Sequence, residues 1–579
     1  MDGGEPREEA VGVKRIVVVG GVAGGMSTAA RLRRLDESAS IVVLERGGEV
    51  SFANCGLPYH VGGEIHDRSA LLLHTPASLR ASLDLDVRTR HEVVSIDRDA
   101  RLVHVRDLVT GTDYTERYDA LVLATGADPV VPPIPGVDRP QVRTLRTVPD
   151  ADVLREMLDA GARRAVVVGA GFIGLETVEA FRHRRLDVAL VELAPQVLPA
   201  IDSDLASLVE AELRRHGVDV RTGAGVVAIE DSTTDHAVDV VLADGTRLPA
   251  DVVLLGVGVR PSTSLARAAG LELSQQGAVV VTPSQQTSDL HIWAVGDAIQ
   301  VHDFVTGAPG VVPLAGPANR QGRVAADAIM GRPSRSRPVM GTAIVRVFGV
   351  TAAVTGPTSR KLTAAGIEHH VVHLHPGNHA GYYPGAEQIH LTVLFRPDGR
   401  LLGAQAVGGA GVDKRIDVLA TALRAGMTVD DLAELELAYA PPFGSAKDPV
   451  NMAGFLGQNI LDGTLRVWSC ADADPVCDGR ALGVDVRSRR EYARGHLPGS
   501  INVPHTELRD RLDEVLETAA GRPVRLICES GFRSYLAHRV LSAHGVDSAS
   551  LDGGMMTLRA SRPDLRLVVD TQPLAVVRS

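Results

Sequence analysis

The sequence lacks the features that mark secreted, membrane-spanning and nucleic-acid-binding proteins. Four cysteines in 579 residues are too few for a disulfide scaffold. The longest apolar runs, such as "ALVLATG" and "DVVLLGVGV", are strand-sized, and no stretch has the pattern of a signal peptide. The net charge of −11 argues against a nucleic-acid surface and against a basic membrane-binding face. We therefore expect a cytoplasmic protein with small-molecule partners, no nucleic acid and no membrane.

Aromatic residues are also scarce. They make up 3% of the chain against 45% hydrophobic residues in all, so the cores must consist mainly of Val, Leu and Ala. A chain of 579 residues exceeds the size of a single core, and about three to five domains are expected. Residues 1–13 are acidic and contain Gly and Pro, a composition that predicts a flexible tail.

Two stretches predict strand–turn–helix–strand units that bind dinucleotides. The first, "RIVVVGGVAGGMSTAARLRRL", precedes a strand ending in Glu45, and the second, "RRAVVVGAGFIGLETVEAFRHRRLDVALVEL", ends in Glu192. A pyrophosphate reaches the helix N-terminus only where no side chain blocks the turn. The second copy has the complete G-x-G-x-x-G spacing, whereas Val22 takes the middle glycine position of the first. The alternative is a tight turn with packing glycines.

Two further strand-to-turn segments distinguish the cofactors. These are "LVLATGADP" and "HIWAVGDA", the second ending in a Gly-Asp pair whose carboxylate can accept hydrogen bonds from a polyol. With two nucleotide folds, they resemble the two-dinucleotide-binding flavoprotein reductases over about residues 14–450. The resemblance implies FAD in the first fold and Asp297 at its ribityl chain, although alone Asp297 could simply form a turn. Glu192 should repel a 2′-phosphate and accept from a 2′-OH, which favours NADH over NADPH.

The resemblance also implies domain bounds and cofactor contacts. A discontinuous FAD-binding domain over 14–150 and 251–333 would enclose an NAD(P)H-binding domain over 151–250, followed by an α+β dimerisation domain over 334–455 and a linker over 456–475. The implied cofactor-binding residues are Gly20, Ala23, Gly24, Gly25, Glu45, Arg46, Thr125, Gly126, Gly169, Gly171, Gly174, Glu192, Gly258, Asp297, Leu314 and Ala315.

The run "SFANCGLPY" holds a lone cysteine, Cys55, because the next cysteine along the chain is Cys470. A lone cysteine beside a flavin can cycle as a sulfenic acid, or as a mixed disulfide or persulfide with an external sulfur compound. The run resembles the active site of coenzyme A-disulfide reductases and of NADH-dependent persulfide and polysulfide reductases. NADH oxidases and peroxidases are close relatives, so the sulfenic acid route stays open, as does a buried inert thiol.

A coenzyme A substrate requires positive charge for its phosphates. Ser27, Arg31 and Arg34 fall at i, i+4 and i+7 on the first predicted helix and share one face. The resemblance implies that this face, with Ser51 and Asn54, contacts the coenzyme. Arg31 departs from the family, which more often has a neutral polar residue there. The alternative is an ordinary solvated helix face.

Residues 335–450 resemble the dimerisation domain of the same family. The segments "HAGYYPGAEQIHLTVLF" and "YAPPFGSAKDPVNMAG" are similar to those in which a tyrosine from one subunit of a homodimer reaches the cysteine of the other. This role maps to Tyr383, or its neighbour Tyr382, and to Tyr439, whose phenols could donate to a sulfur leaving group. Tyr439 could instead pack beside the following prolines. Six histidines between 369 and 390 have no cysteine nearby and no H-E-x-x-H spacing, so no metal is predicted. His373 and His375 would share one strand face, and surface positions on a strand are expected for these histidines.

A further domain is predicted over 476–579. "RPVRLICESGFRSYLAHRVLSAHGV" places Cys528 at the end of a buried strand and Arg533 near a helix N-terminus, where loop N–H groups favour a thiolate or a persulfide. With "GHLPGSINVP" and "LDGG", this pattern resembles the rhodanese domain. Four residues separate Cys528 from Arg533, one fewer than in the related phosphatases, which favours sulfur transfer. Glu529 is an uncommon negative neighbour that should oppose the thiolate, and a degenerate, purely structural rhodanese fold is the alternative.

The two halves together predict an α/β chain with two Rossmann-like domains, a dimerisation domain and a rhodanese domain. The predicted activity is FAD-dependent reduction, by NAD(P)H, of the sulfur–sulfur bond of coenzyme A persulfide, polysulfide or coenzyme A disulfide through Cys55. The rhodanese domain would handle sulfane sulfur through Cys528. The alternatives are an NADH oxidase or peroxidase and a redox-sensing flavoprotein.

Overall fold

The structure, a computed structural model, describes residues 14–570, so the predicted tail over 1–13 lies outside the described residues. The described chain divides into two compact units, one formed by residues 14–191 and 224–341 and the other by residues 192–223 and 342–570. Helices and strands alternate in both, and the predicted α/β class is confirmed. None of the helices in the described range is long and apolar enough to cross a membrane.

The first unit contains two sheets of parallel strands. The central strand of the first sheet, Arg15–Val19, has Ile16, Val17 and Val18 fully buried, as expected for a parallel strand covered on both faces. That sheet runs in the order Ile292–Ala294, Ala120–Leu123, Arg15–Val19, Ser40–Glu45 and Asp86–Thr89. The second includes, in order, Asp187–Val191, Arg164–Val168, Val252–Leu255 and Val142–Arg143.

Smaller antiparallel elements and helices complete the first unit. Its three-stranded meanders are His91–Asp97, Leu102–Asp107 and Asp113–Arg117, and Val226–Asp231, Val238–Leu242 and Arg247–Ala250. Its two-stranded pairs are Ala127–Pro129 with Val259–Pro261, and Val301–His302 with Pro309–Gly310. Its α-helices are Ala23–Leu35, Leu57–Gly62, Pro76–Leu83, Val148–Asp159, Phe172–His183, Ser264–Ala268 and Ala315–Ile329, and its 3-10 turns are Asn54–Gly56, Arg68–Leu71 and Gly296–Ala298.

The second unit contains one antiparallel and one parallel sheet. The antiparallel sheet runs Ala343–Val347, Val350–Thr355, Leu401–Gly408, Ile389–Phe395 and His370–Leu374. The parallel sheet runs Val467–Trp468, Ser548–Leu551, Val524–Ile527, Leu482–Asp485 and Ile501–Asn502, and Asp219–Arg221 is a further strand. The helices are Ser203–Arg215, Ser359–Ala364, Val412–Ala425, Val429–Ala433, Pro449–Leu461, Asp474–Cys477, Arg489–Ala493, Leu512–Ala519, Phe532–Ala543 and Gly554–Ser561, with a 3-10 turn at Cys470–Asp472.

The segment predicted as a linker, 456–475, is largely ordered into these elements. The helix Pro449–Leu461 extends into it, and Val467–Trp468 pairs with the strand Ser548–Leu551 as the edge of the parallel sheet. Trp468 and Cys470 are buried in one of the two cores that cover that sheet. The segment therefore belongs to the C-terminal domain, because its apolar side chains pack there and its short strand pairs there.

Candidate functional site

The first glycine turn leaves no room for side chains where the chain reverses. Gly20 has a φ of +105° after the strand Arg15–Val19, and a Cβ there would overlap the carbonyl oxygen of Ala124. A Cβ at Gly25 would overlap the carbonyl oxygen of Gly20. These two glycines serve close packing of the turn against its own helix and sheet.

The second glycine turn combines the same packing with an open position. A Cβ at Gly169, which has a φ of +102°, would overlap the carbonyl oxygen of Gly256, and a Cβ at Gly174 would overlap that of Gly169. A Cβ at Gly171 meets no atom within 4 Å. Gly171 is the residue before the helix Phe172–His183, so the free space lies at a helix N-terminus, where backbone N–H groups bind a pyrophosphate.

A cleft in the first unit gathers most residues predicted for FAD. Sequence reasoning did not assign several further lining residues, among them His91, Arg146 and Ser262, which belong to none of the motifs it used. Gly25, Leu314 and Ala315 do not line the cleft; the last two begin the helix that contributes Ala318 to its wall. The predicted residues that line it are Gly20, Ala23, Gly24, Glu45, Arg46, Thr125, Gly126 and Asp297.

Two carboxylates shape this cleft. Glu45 accepts hydrogen bonds from the N–H groups of Gly21 and Gly47, both at 2.7 Å, and so fixes the turn. Burial raises the pKa of Asp297, against the opposing charge of Arg146. A half-buried carboxylate such as Asp297 gains from hydroxyl donors, which a ribityl chain supplies. The first glycine turn and these acceptors fit FAD.

Cys55 borders the same cleft. Phe52 and Asn54, just before it in the chain, line the cleft, and Cys55 lies in the 3-10 turn Asn54–Gly56. Ser51 has a left-handed φ of 52°, and its N–H donates to the carbonyl oxygen of Gly21 at 2.8 Å. This hydrogen bond fastens the cysteine segment to the first glycine turn. A strained non-glycine residue of this kind is typical of functional sites.

The thiol of Cys55 is exposed yet electrostatically perturbed. Displacement of water by surrounding protein raises its pKa, and the carboxylates of Glu176 and Asp297 raise it further. Glu176 lies on the helix Phe172–His183 and accepts a hydrogen bond from the hydroxyl of Tyr59 at 3.1 Å. The carboxylates of Glu176 and Asp297 therefore both act on Cys55, although they belong to two different sequence motifs. The spacing within those motifs does not reveal that they act on the same thiol.

The predicted coenzyme face of the helix Ala23–Leu35 is partly committed to internal contacts. The Ser27 hydroxyl donates to the side-chain oxygen of Asn319 at 2.8 Å. The Arg31 guanidinium pairs with Asp327 at 2.8 Å, and both side chains are largely shielded from solvent. Arg34 is exposed. Arg34 is therefore better placed than Arg31 to offer its charge to a phosphate.

The tyrosines predicted for catalysis lie on the surface of the second unit. The hydroxyls of Tyr382 and Tyr439 are 3.2 Å apart, and both residues are exposed. Tyr383 is also exposed, with its ring 5.7 Å from that of His379. The structure thus pairs Tyr439 with Tyr382 rather than with Tyr383. Half of Tyr439 is open to solvent, so packing alone does not account for its position.

Cys528 directly follows the buried strand Val524–Ile527 and is itself buried. Its Sγ accepts a hydrogen bond from the N–H of Gly531 at 3.1 Å and lies 3.1 Å from the Ser534 hydroxyl. Gly531 has a φ of +96°, a conformation that turns its N–H toward the sulfur. Donors aimed at sulfur stabilise a thiolate or a persulfide anion.

Two arginines compensate the charge of Glu529. Its carboxylate pairs with Arg487 at 3.0 Å and with Arg559 at 2.5 Å. Burial acts to raise the pKa of Glu529, but Arg559 and Arg487 outweigh it and hold the pKa below its usual range. Arg487 is fully buried and also binds Asp485 at 2.7 Å. The negative neighbour of Cys528 is therefore held in an ion-pair network.

Arg533 is likewise paired. Its guanidinium makes two hydrogen bonds to Glu491, at 2.6 and 2.8 Å, and Arg533 lowers the pKa of Glu491 to about 2. The helix Arg489–Ala493, which carries Glu491, is thereby tied to the cysteine loop. Such a two-pronged pair fixes the orientation of the guanidinium beside the loop.

The histidine group, predicted as strand-surface residues, connects two domains of the second unit. His373 lies between two carboxylates, 3.3 Å from Asp204 and 2.6 Å from Asp552. Burial acts to lower the pKa of His373, but the carboxylates outweigh it and hold that pKa well above its usual value. His375 contacts the carbonyl oxygen of Gly553 at 3.0 Å, and burial together with His390 lowers the pKa of His375 to about 3.

Comparisons with known proteins agree with this arrangement. The chain matches the family models described as pyridine nucleotide-disulphide oxidoreductase over residues 14–322, the dimerisation domain of that family over 342–449, and the rhodanese-like domain over 474–560. It is 36% identical over 451 residues to a coenzyme A disulfide reductase of Staphylococcus haemolyticus, covering 77% of this chain and 100% of that protein. It is 34% identical over 441 residues to an NADH oxidase of Methanocaldococcus jannaschii, covering 76% and 97%.

Solved structures extend the similarity to the C-terminal domain. The crystal structure of reduced Bacillus anthracis CoADR-RHD aligns with a TM-score of 0.93 and 43% identity, covering 97% of this chain and 100% of that chain. An NAD-dependent persulfide reductase from A. fulgidus aligns with a TM-score of 0.88 and 38% identity, covering 94% and 99%. The chain belongs to the pyridine nucleotide-disulphide oxidoreductase family and carries a rhodanese-like domain at its C-terminal end.

Proposed function

We propose that this protein is an NADH-dependent, FAD-containing reductase of coenzyme A persulfide, with polysulfide and coenzyme A disulfide as related substrates. The observation that carries the proposal is the position of a single cysteine, Cys55, at the edge of the flavin cleft. The same chain also contains Cys528, whose sulfur accepts a hydrogen bond from the N–H of Gly531. The similarity to a coenzyme A disulfide reductase and to a persulfide reductase supports the same substrate class.

FAD, when bound, relays two electrons from the nicotinamide to the cysteine. The chain's own residues supply the remaining steps. The Cys55 thiolate attacks the outer sulfur of the persulfide, a new sulfur–sulfur bond forms at Cys55, and the coenzyme A thiolate leaves with the bonding electrons. Two electrons and a proton then release hydrogen sulfide and restore the Cys55 thiolate. Burial and the two carboxylates raise the pKa of Cys55, and the intrinsic nucleophilicity of a thiolate increases with its pKa.

Binding of the coenzyme is assigned to the helix Ala23–Leu35 and to the segment around Cys55. Arg34, exposed on that helix, would pair with a phosphate, and Ser51 and Asn54 would contact the arm that carries the sulfur. Arg31, held by Asp327, would then orient the helix rather than bind the coenzyme. Glu192 as an acceptor for the ribose 2′-OH stays a prediction from its spacing and favours NADH.

The assembly proposed is a cytoplasmic homodimer. The matched dimerisation domain and the exposed Tyr382–Tyr439 pair support it, because phenols at a dimer surface could donate to the sulfur leaving group of the partner's site. Cys528 would accept sulfane sulfur as a persulfide, held by the Gly531 N–H, and pass it to coenzyme A or to Cys55.

The test is anaerobic oxidation of NADH by the purified flavoprotein with coenzyme A persulfide, polysulfide or coenzyme A disulfide. Fast turnover that releases sulfide is expected with the persulfide. Cys55→Ser should abolish that turnover while NADH still reduces the flavin, and Cys528→Ser should spare reduction of coenzyme A disulfide. Full activity in Cys55→Ser would rule out the mechanism.

One alternative has an observation in its favour, the 34% identity to an NADH oxidase. In that function Cys55 would cycle through a sulfenic acid and oxygen would be the acceptor. An aerobic assay without any sulfur compound separates the two functions. Turnover in air alone, with none on sulfur substrates, would favour the oxidase and leave Cys528 without a role.

A further inference from the structure

The charges around Cys528 are balanced. Glu529 pairs with Arg487 and Arg559, while Arg533 makes a two-pronged pair with Glu491. Each guanidinium bonded around the loop is thus matched by a carboxylate, and Arg487 is matched a second time by Asp485. These arginines fix the loop without presenting an uncompensated positive charge to an incoming substrate.

Sulfur donors differ in the charge they bring to this loop. Thiosulfate carries two negative charges within one sulfur–sulfur bond of the atom that is transferred. A persulfide at the end of an uncharged chain carries at most one charge near its reacting sulfur, and any phosphates lie at the far end. Glu529 follows Cys528 directly in the chain and takes up the charge of Arg487 and Arg559, so no net positive charge is left beside Cys528 to attract a dianion. A dianion loses more from this balance than a persulfide does.

An apolar strip beside the loop matches the second kind of donor. Phe532 and Leu536 lie at i and i+4 on the helix Phe532–Ala543, so they share one face, and their exposed fractions are 67% and 41%. Phe532 is the first residue of that helix, directly after the Cys528 loop and adjacent to Arg533. Apolar surface at this position suits an uncharged arm and offers nothing to a sulfonate group.

We infer that Glu529 sets donor specificity in the rhodanese-like domain by excluding dianionic donors such as thiosulfate and admitting persulfides carried on an uncharged arm. This inference rests on the proposed sulfur transfer at Cys528. The Cys528 thiolate attacks the outer sulfur of R–S–SH, the new bond joins Cys528 to that sulfur, and R–S⁻ leaves with the electron pair of the broken bond. No external oxidant or reductant is consumed.

The experiment follows formation of the Cys528 persulfide by intact-protein mass spectrometry, as a gain of one sulfur atom. The full-length flavoprotein carries Cys55→Ser, so that the reductase does not consume the donor. Thiosulfate and pantetheine persulfide are compared in the parent protein, in Glu529→Gln and in Arg559→Gln. Glu517→Gln, which removes an exposed carboxylate from the helix Leu512–Ala519, is the matched control.

Glu529→Gln is expected to speed loading from thiosulfate about tenfold while changing loading from pantetheine persulfide less than about twofold. Arg559→Gln, which leaves Glu529 less compensated, should slow loading from thiosulfate, and Glu517→Gln should change neither donor. Equal loading from both donors in the parent, unchanged by either loop variant, would overturn the specificity inference and leave sulfur transfer intact. Failure of both donors to load Cys528 in every variant would instead overturn the proposed sulfur transfer.

Discussion

His373 Nδ1 lies 2.6 Å from Asp552 Oδ2, and this contact joins a strand of the dimerisation domain to the turn behind the Cys528 loop. Asp552 ends the strand Ser548–Leu551, and a few residues on, the N–H of Met555 donates to the carbonyl oxygen of Cys528 at 2.8 Å. Since Asp204 lies on the other side of His373, one imidazolium holds two carboxylates. The position of the Cys528 loop thus depends on a buried charge in a neighbouring domain.

Replacing His373 with Gln should destabilise the C-terminal domain in a pH-dependent manner. The folded-state pKa of His373 is raised, so its contribution is fully present below the unfolded value, about 6.5, and declines as pH rises through the folded value. Loss of a buried pair costs about 3 kcal/mol. The gap in Tm between the parent and His373→Gln should therefore be widest near pH 6 and narrow toward pH 9.

The control for this prediction is His544→Gln, because His544 is exposed. Among the hydrogen bonds described for the His544 ring, the one partner is the carbonyl oxygen of Val540, four residues earlier. The Tm of His544→Gln should differ little from that of the parent at any pH. A gap for His373→Gln that grows as pH rises would contradict the assignment of a charged imidazole.

In the second glycine turn, Gly174 is needed for packing, whereas Gly171 is expected to leave space for the nucleotide. A Cβ at Gly171 meets open space, so Gly171→Ala should fold, bind FAD and keep its Tm, yet raise the KM for NADH about tenfold by blocking the approach of the pyrophosphate. Gly174→Ala places its Cβ on the carbonyl oxygen of Gly169 and should lower the Tm. Thermal denaturation and steady-state kinetics on both variants check this. Unchanged kinetics in a folded Gly171→Ala would remove Gly171 from the nucleotide site.

Local sequence signals predicted these turns because their cause is local. A glycine with positive φ between an apolar strand and a helix is readable from residue type and spacing, and the same holds for the Cys528 loop. The partners of the charged side chains could not be predicted from local sequence. Arg31 pairs with Asp327, 296 positions away, and Glu529 pairs with Arg559, 30 positions away. Only the folded chain brings such partners together.

The histidine group shows the same limit. Spacing on a strand predicted surface positions for His373 and His375, whereas both are covered by the turn that follows the strand Ser548–Leu551. The segment predicted as a linker contains ordered elements for a related reason. Its short apolar stretch, Val467–Trp468, becomes a strand only by pairing with a partner about eighty residues later. Domain docking and edge-strand pairing depend on tertiary contacts that a local pattern does not encode.

The two arginines on the first helix should behave differently. Arg34→Ala is expected to raise the KM for coenzyme A substrates about fivefold to tenfold, with an effect that weakens at high salt, because an exposed charge that binds a phosphate is screened. Arg31→Ala should lower the Tm through loss of the Asp327 pair. Kinetics at low and high ionic strength check the assignment. A larger KM effect in Arg31→Ala than in Arg34→Ala would reverse it.

The phenol pair offers a test of how the sulfur leaving group is protonated. The hydrogen bond with Tyr439 raises the pKa of Tyr382, so the Tyr382 phenol keeps its proton at neutral pH and one hydroxyl of the pair can donate outward. Tyr439→Phe should lower turnover on coenzyme A persulfide by about a hundredfold or more, because a positioned proton donor typically contributes about 10²–10⁴-fold. The rate at which NADH reduces the flavin should not change, because that step does not involve the leaving group.

Comparison of two neighbours identifies the acting residue. If the phenols act as a pair, Tyr382→Phe should resemble Tyr439→Phe, and Tyr383→Phe should keep nearly full turnover because the Tyr383 hydroxyl is not part of the contact at 3.2 Å. Stopped-flow reduction of the flavin and steady-state release of sulfide separate the two half-reactions for each variant. Loss of sulfide release in Tyr383→Phe alone would return the donor role to Tyr383 and leave the observed hydroxyl pair a surface contact.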